Sequence, residues 1–165
     1  MVDEVCRLMD QKKVGTIIDA CCGSGLFSIF LAPYARRMIG VEINKKSVDC
    51  ARLNAERHRI ENTEFICGDI EEFLKDQAQK MDAVDVIILD PPRTGLSPVA
   101  LAALASLASQ HIIYISCNPA TQARDVKFLN EHGYDLQNLQ PLDMFAQTEH
   151  IETIGLLQRR KAERC

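Results

Sequence analysis

No apolar run in this sequence approaches the roughly 20 residues that a membrane span requires. Basic residues are not in excess either: 19 Lys and Arg stand against 23 Asp and Glu, a formal net charge of −4. With a pI near 5.6, the chain as a whole has no electrostatic signature of a nucleic-acid binder, so any such partner has to be held by a local patch or by another domain. No CxxC pair occurs among the seven cysteines, Cys6, Cys21, Cys22, Cys50, Cys67, Cys117 and Cys165. Their odd number, with several inside apolar runs, argues against a disulfide framework or a zinc knuckle and predicts free thiols, no bound metal and a reducing, cytoplasmic setting. The opening MVDEVCRLMD is charged and helical in pattern, unlike a signal peptide. Internal repeats and low-complexity linkers are missing. What is present is a 47% hydrophobic, 25% charged composition over 165 residues. That is a single soluble globular domain, long enough to bury roughly 70% of its unfolded surface without staples.

Apolar strand-like runs alternate with helical patterns along the chain. Val2 to Gln11 reads as a short amphipathic helix, Thr16 to Ala20 as a first strand, Leu26 to Ala35 as a helix and Met38 to Glu42 as a second strand. Lys45 to His58 reads as a helix with Asn44 or Ser47 near its cap, Thr63 to Cys67 as a third strand and Ile70 to Gln79 as a helix. Val84 to Asp90 is nearly continuous in apolar residues, as suits a strand covered on both faces. Ser97 followed by Pro98 is a strong helix start, for a helix running to about Ser109. His111 to Ser116 is a fifth strand, which Pro119 is expected to end because it has no N–H to donate. Ala120 to His132 is a helix stopped by Gly133. Tyr134 to Leu142 and Ile151 to Gln158 are extended runs with no helix between them, which predicts an antiparallel pair. The expectation is a doubly wound, Rossmann-like α/β fold: a mostly parallel seven-stranded sheet with a reversed last strand.

Asp19-Ala20-Cys21-Cys22-Gly23-Ser24-Gly25 follows the first strand and opens a helix. Its two glycines, Gly23 and Gly25, allow a tight turn and a close approach to a ligand. Ser28 stands where a dinucleotide fingerprint has a third glycine. Glu42 ends the second strand, where a carboxylate can accept both hydroxyls of a ribose. Asp69 follows the third strand. Three acids at successive strand ends predict a nucleoside cofactor. Acidic neighbours would repel a pyrophosphate, whereas they suit the ammonium and sulfonium of S-adenosylmethionine. Asp69 can take the adenine amino group, cap the Ile70 helix, or both.

Two further segments close strands of the same sheet. Asp90-Pro91-Pro92-Arg93 ends the fourth strand, its prolines stiffening the backbone so that Asp90 faces the cleft. Ile112 to Thr121, IIYISCNPAT, places Cys117 at the carboxyl end of the fifth strand, the edge where open α/β sheets bind ligands. A cysteine there is either inert packing or a nucleophile, and composition leaves both open.

DPPRTG, ISCNPATQARD and LDMFAQTEHIE together resemble the RNA uracil-5-methyltransferase family, which makes 5-methyluridine in tRNA or large-subunit ribosomal RNA. The resemblance runs from Thr16 to about Arg159. It implies that Cys117 is the nucleophile, and that Glu152, the acid of the terminal HxE motif, is the base removing the C5 proton. Cofactor contact falls by the same resemblance on Cys21, Gly23, Leu26, Glu42, Asp69 and Asp90, beside the loop residues Asp19 and Gly25. Position 21 is a cysteine where a bulkier apolar residue is common. The β-barrel RNA-binding domain, the inserted region (sometimes with an iron–sulfur cluster) and the Phe-x-Gln segment of family members are not in this sequence, so it reads as a catalytic domain with the basic RNA-binding surface elsewhere.

The chemistry that this implies is covalent. A thiolate adding to C6 of uracil makes C5 nucleophilic toward a sulfonium methyl, and a base then takes the C5 proton so that the thiol can leave. The target is an unpaired or flipped uridine in rRNA or tRNA. DPP alone also fits a nucleobase methyltransferase acting on cytosine C5 or an adenine amine. A cofactor-binding fragment inactive by itself is the third reading. Arg93 can hold phosphate or pair with Asp90, Arg124 is expected to pair with Asp125, and Asp143, Thr148 and His150 are candidates to shape the pocket.

Overall fold

The computed structural model describes residues 1–9, 13–80, 84–144 and 146–161. Within them β1 (Val14–Ala20), β2 (Ala35–Glu42), β3 (Thr63–Cys67), β4 (Val86–Leu89), β5 (His111–Ser116), β6 (Tyr134–Leu142) and β7 (Glu152–Arg159) form one sheet in the order β3-β2-β1-β4-β5-β7-β6. Every pair from β3 to β5 is parallel. β7 is antiparallel to both β5 and β6, the mostly parallel seven-stranded sheet with a reversed last strand that the run pattern predicts.

Period-two alternation assigns the two faces. Ile17, Val86, Ile88, Ile113, Ile115 and Ile154 bury against α1 (Val2–Leu8) and α2 (Leu26–Leu31). Ile18, Ala20, Ile87, Leu89, Ile112 and Tyr114 bury against α4 (Ile70–Lys80), α5 (Pro98–Leu107) and α6 (Pro119–Glu131). α3 (Lys45–Arg57) packs Val48, Ala51 and Ala55 on Phe65 of β3. Both faces are covered, which explains the unbroken apolar run of β4.

Caps follow side-chain chemistry. Asn44 accepts from the N–H of Lys46 and Ser47, so Asn44 rather than Ser47 caps α3. Ser97 accepts from the N–H of Ala100, with Pro98 in the first turn of α5. Gly133 stops α6 in the left-handed region at φ +98°. Several boundaries differ from the sequence reading by a few residues, among them those of β1, β2, β4 and α5. The helix at Leu26 ends at Leu31 rather than Ala35, because Pro33 falls in a 3-10 turn, Ala32–Tyr34, and Ala35 already pairs with Val14 in the sheet. Pro119 does not end β5. The strand stops at Ser116, Asn118 caps the next helix by accepting from Ala120 N, and Pro119 starts α6, where a missing N–H costs nothing. The first helix is described only as Val2–Leu8, and Gln11 lies outside the described residues.

The chain winds from β1 outward to β3, then returns to β4 beside β1. The switch point of this sheet is therefore the carboxyl ends of β1 and β4, where open α/β sheets form their ligand crevice. β7 runs the other way, so its amino end, Glu152, comes to that same edge.

Candidate active site

The loop after β1 is built by three consecutive excursions into left-handed backbone, at Cys21 (φ +65°), Gly23 (φ +54°) and Gly25 (φ +86°). Glycine is favoured at position 25, since the backbone is left-handed and a Cβ there would lie 3.1 Å from the Ala51 Cβ and 3.2 Å from the Phe65 ring. At Gly23 nothing stands within 4 Å of where a Cβ would be, so the backbone is open to a ligand. The loop is pinned at several points. Cys22 N donates to Val41 O at 2.9 Å, Gly25 N to Cys22 O at 2.9 Å, and Asn54 Nδ2 to Ser24 O at 3.1 Å. Glu42 is held by both oxygens: Gly23 N donates to Oε2 at 3.1 Å and Asn44 N to Oε1 at 2.8 Å. Its orientation is thus set by backbone before any ligand arrives, with lone pairs to spare.

Asp19 is placed differently from the other acids. It shares the face of Ile17, under α2, and is fully buried. Ser28 N and Oγ donate to its Oδ2 at 2.9 and 2.6 Å, so the residue standing in place of a third glycine serves as its partner. Oδ1 is buried and has no hydrogen-bond partner. Burial, only partly offset by the Ser28 bonds, pushes the Asp19 carboxyl up to about 7. Asp69 accepts from the N–H of Glu71 and Glu72 at 2.7 and 3.2 Å and so caps α4. Leu26 is half exposed at the start of α2.

On the other side of the switch point Asp90 is exposed at the surface of the cleft, yet partial burial and then the Glu152 charge raise its carboxyl to about 6. Glu152 is 8% exposed; burial raises its carboxyl above the ordinary range and the Arg93 charge opposes that rise. The β5–β7 ladder runs to Ser116 opposite Thr153. Cys117 follows directly on the last paired residue of β5 and Glu152 directly precedes its partner Thr153, so both stand at the same end of the ladder. Thr153 Oγ1 reinforces the end of the ladder by donating to Ser116 O at 3.2 Å and Gln122 Oε1 at 2.8 Å. Cys117 is partly exposed.

The six cysteines among the described residues are free thiols. Burial and the charges of Glu42 and Asp19 push Cys21 up to about 12, and burial with Asp19 raises Cys22 as well. Those two thiols stay protonated, whereas Cys117 follows β5 and Cys67 ends β3 opposite Glu42 at the same sheet edge. No group of three or more His, Cys, Asp or Glu among the described residues is arranged to hold a metal ion, and no described helix is long and apolar enough to cross a membrane.

One part of the arrangement has no simple signal in the sequence. Asp125, fully buried in α6, accepts from Tyr114 Oη at 2.6 Å and Leu96 N at 2.9 Å, and pairs with Arg124 at 2.7 Å. The Arg124–Asp125 pair is the one expected from sequence; its link to the segment after β4 is not visible there. An Arg-Asp dipeptide early in a helix after a strand-end cysteine is the only trace of it.

A family model described as tRNA (uracil-5-)-methyltransferase matches residues 1–161. An uncharacterized RNA methyltransferase of Clostridium tetani is 41% identical over 148 residues, 90% of this chain and 32% of its own length. One from Gloeobacter violaceus is 42% identical over 155 residues, 94% of this chain and 33% of its own length. The Pyrococcus abyssi tRNA (uracil-54, C5)-methyltransferase, solved in complex with S-adenosyl-L-homocysteine, is similar with a TM-score of 0.78 at 32% identity, covering 94% of this chain and 37% of that one. The N-methyltransferase NodS of Bradyrhizobium japonicum, at a TM-score of 0.77 and 16% identity, shares the fold alone. The chain spans about a third of the length of the curated relatives it matches.

Proposed function

Because this chain belongs to the tRNA (uracil-5-)-methyltransferase family, we propose that it is the catalytic domain of an enzyme that converts uridine to 5-methyluridine in RNA. The observation that carries this reading is the reversed β7: its ladder with β5 ends at Ser116 opposite Thr153, so Cys117 and Glu152 flank that end at the edge where the β1 loop and Asp90 form the crevice.

The residues at the switch point fit S-adenosylmethionine. Gly23 leaves room for close approach, Glu42 is presented as a diol acceptor, and the buried Asp19 Oδ1 lacks a donor that an ammonium nearby would supply. Asp69 and Asp90 add acceptors of the same sign, and Cys21, Gly25 and Leu26 complete the loop. When bound, this cofactor supplies an electrophilic methyl on a sulfonium.

The chain's own residues perform the rest. The Cys117 thiolate forms a bond to C6 of uracil and moves the ring's electron pair toward C5, which then takes the methyl. Glu152 receives the proton from C5, the C5–C6 double bond re-forms, and the bond to Cys117 breaks, returning the electron pair to sulfur. The raised carboxyl of Glu152 makes it a stronger base than an exposed glutamate. The substrate is an unpaired or flipped uridine in rRNA or tRNA, since C6 is inaccessible inside a stacked helix.

RNA carrying 5-fluorouridine tests the reading, because fluorine at C5 leaves Glu152 no proton to remove. The wild-type protein is expected to accumulate a denaturant-resistant protein–RNA adduct that Cys117→Ala abolishes. An adduct that persists in Cys117→Ala refutes the nucleophile. With ordinary RNA, Glu152→Gln is expected to trap the methylated adduct.

A further inference from the structure

The segment after β4, residues 90–96, carries Asp90 and Arg93 and has no regular secondary structure. Its backbone is nevertheless tied at successive points to one face of α6. Thr121 Oγ1 and Asn118 Nδ2 each donate to Arg93 O at 3.1 Å. Arg124 Nη2 donates to Thr94 O at 3.0 Å and Leu96 O at 3.2 Å. Asp125 Oδ2 accepts from Leu96 N at 2.9 Å and also from Tyr114 Oη of β5. Positions 118, 121 and 125 recur at helical spacing, so one stripe of α6 does this work.

The approach is so close that a side chain at position 95 would displace the Asp125 and Arg124 groups that hold the loop. Gly95 has a φ of +72°, and a Cβ there would lie 2.5 Å from Asp125 Oδ2 and 2.7 Å from Arg124 Nη2. With the Arg93 carbonyl turned onto α6, its side chain remains exposed and its charge is felt by Glu152. α6 itself begins two residues after Cys117. The helix that follows the nucleophile therefore also grips the loop that faces the base.

We propose that Thr121, Arg124 and Asp125 are positioning residues: the first turns of α6 hold segment 90–96 so that Asp90 and Arg93 stay in register with Cys117 and Glu152. This rests on the reading of Cys117 and Glu152 given above. A fully buried aspartate taking Leu96 N and Tyr114 Oη on Oδ2, and Arg124 Nε and Nη2 on Oδ1, is a stiff anchor. A loop secured that way keeps its side chains within the fraction of an ångström that catalysis requires.

The test separates positioning from stability. Glu152 is followed by carboxyl-carbon NMR in this chain labelled at glutamate, its signal identified by loss in Glu152→Gln. The charged or titratable groups around it are Asp90 and Arg93 after β4, Cys117 after β5, and Asp143, Glu149 and His150 in the connection from β6. Asp125→Asn and Thr121→Val are expected to move the Glu152 titration to higher pH, as Arg93→Gln does, because the opposing cation is no longer held. Combining Asp125→Asn with Arg93→Gln should move it no further than Arg93→Gln alone. The same variants should form the 5-fluorouridine adduct about tenfold or more slowly, with S-adenosylhomocysteine affinity within about twofold of wild type by calorimetry. A folded Asp125→Asn or Thr121→Val in which Glu152 titrates as in wild type overturns the proposal. So does a rate loss matched by equal losses of cofactor affinity and thermal stability. If Asp125→Asn does not fold, the isosteric Thr121→Val decides. Absence of adduct in the wild type refutes the function instead, while the NMR titration still judges the positioning.

Discussion

Asp19→Asn probes the least ordinary group in the chain. Folded Asp19 keeps its proton until about pH 7, whereas an unperturbed aspartate releases it near 3.8. Between those values the unfolded chain binds fewer protons than the folded one, so stability falls as pH rises. The penalty is absent below pH 3.8 and complete above about pH 7. At 1.36 kcal/mol per pH unit, the loss between pH 5 and pH 8 is about 3 kcal/mol. Asparagine keeps an acceptor for Ser28 and places an amide where Oδ1 has no partner, a pH-independent cost of about 1–3 kcal/mol. The diagnostic quantity is therefore the slope. The stability of Asp19→Asn relative to wild type should grow by about 3 kcal/mol from pH 5 to pH 8. The sequence has no tryptophan, so urea unfolding followed by far-ultraviolet circular dichroism is the suitable assay. Other titrating groups cancel in the difference. A difference that stays flat across this range would refute the argument that Asp19 is folded in its neutral form. The same group reports on the cofactor. A cation brought near Oδ1 favours the ionised form, so S-adenosylhomocysteine should bind the wild type more tightly as pH rises through 7, and Asp19→Asn should lose that dependence.

Other expectations concern packing and hydrogen bonds. Gly25→Ala forces a Cβ into left-handed backbone 3.1 Å from Ala51; it should cost about 1–2 kcal/mol, lower the melting midpoint by roughly 2–8 °C and abolish measurable S-adenosylhomocysteine binding by calorimetry. Gly40→Ala brings a Cβ within 2.6 Å of Phe65 Cδ1; overpacking should cost about 1–3 kcal/mol, and adding Phe65→Leu should recover part of it in a double-mutant cycle of urea unfolding. Tyr114→Phe removes one donor from the buried Asp125; a loss of about 1–3 kcal/mol is expected, against no loss if that hydrogen bond contributes nothing.

Much of the architecture was legible in the linear pattern because its determinants are local. The strand runs, the Asn44 and Ser97 caps and the Gly133 stop depend on residues within a turn or two of each other, and all three stops or starts lie where the pattern places them. Misreadings occurred where two local rules competed. Pro119 has no N–H, which equally ends a strand or begins a helix, and Asn118 capping decided for the helix. Leu26 to Ala35 is apolar but for Ser28 and the Tyr34 hydroxyl, and only pairing of Ala35 with Val14 shows where the strand begins.

The candidate site divides in the same way. Glycines and acids at strand ends, DPPR and SCNP are contiguous strings, so the sequence by itself determined which residues stand at the sheet edge. What each carboxylate does there is set by neighbours far away in the chain. Asp19 turns under α2 to Ser28, and burial, with the charges of Asp90 and Glu42, raises its carboxyl to about 7. Asp69 spends its side chain on a helix cap, whereas Glu42 is aimed by Gly23 and Asn44. Cys117 and Glu152 lie 35 positions apart in sequence, and only the antiparallel register of β7 brings both to the same end of the β5–β7 ladder. The clasp of α6 on the loop of Asp90 and Arg93 depends on side chains meeting backbone about 30 residues away. Such contacts leave no periodic trace in a sequence, because they arise from the packing of whole elements and not from the spacing of residues within one.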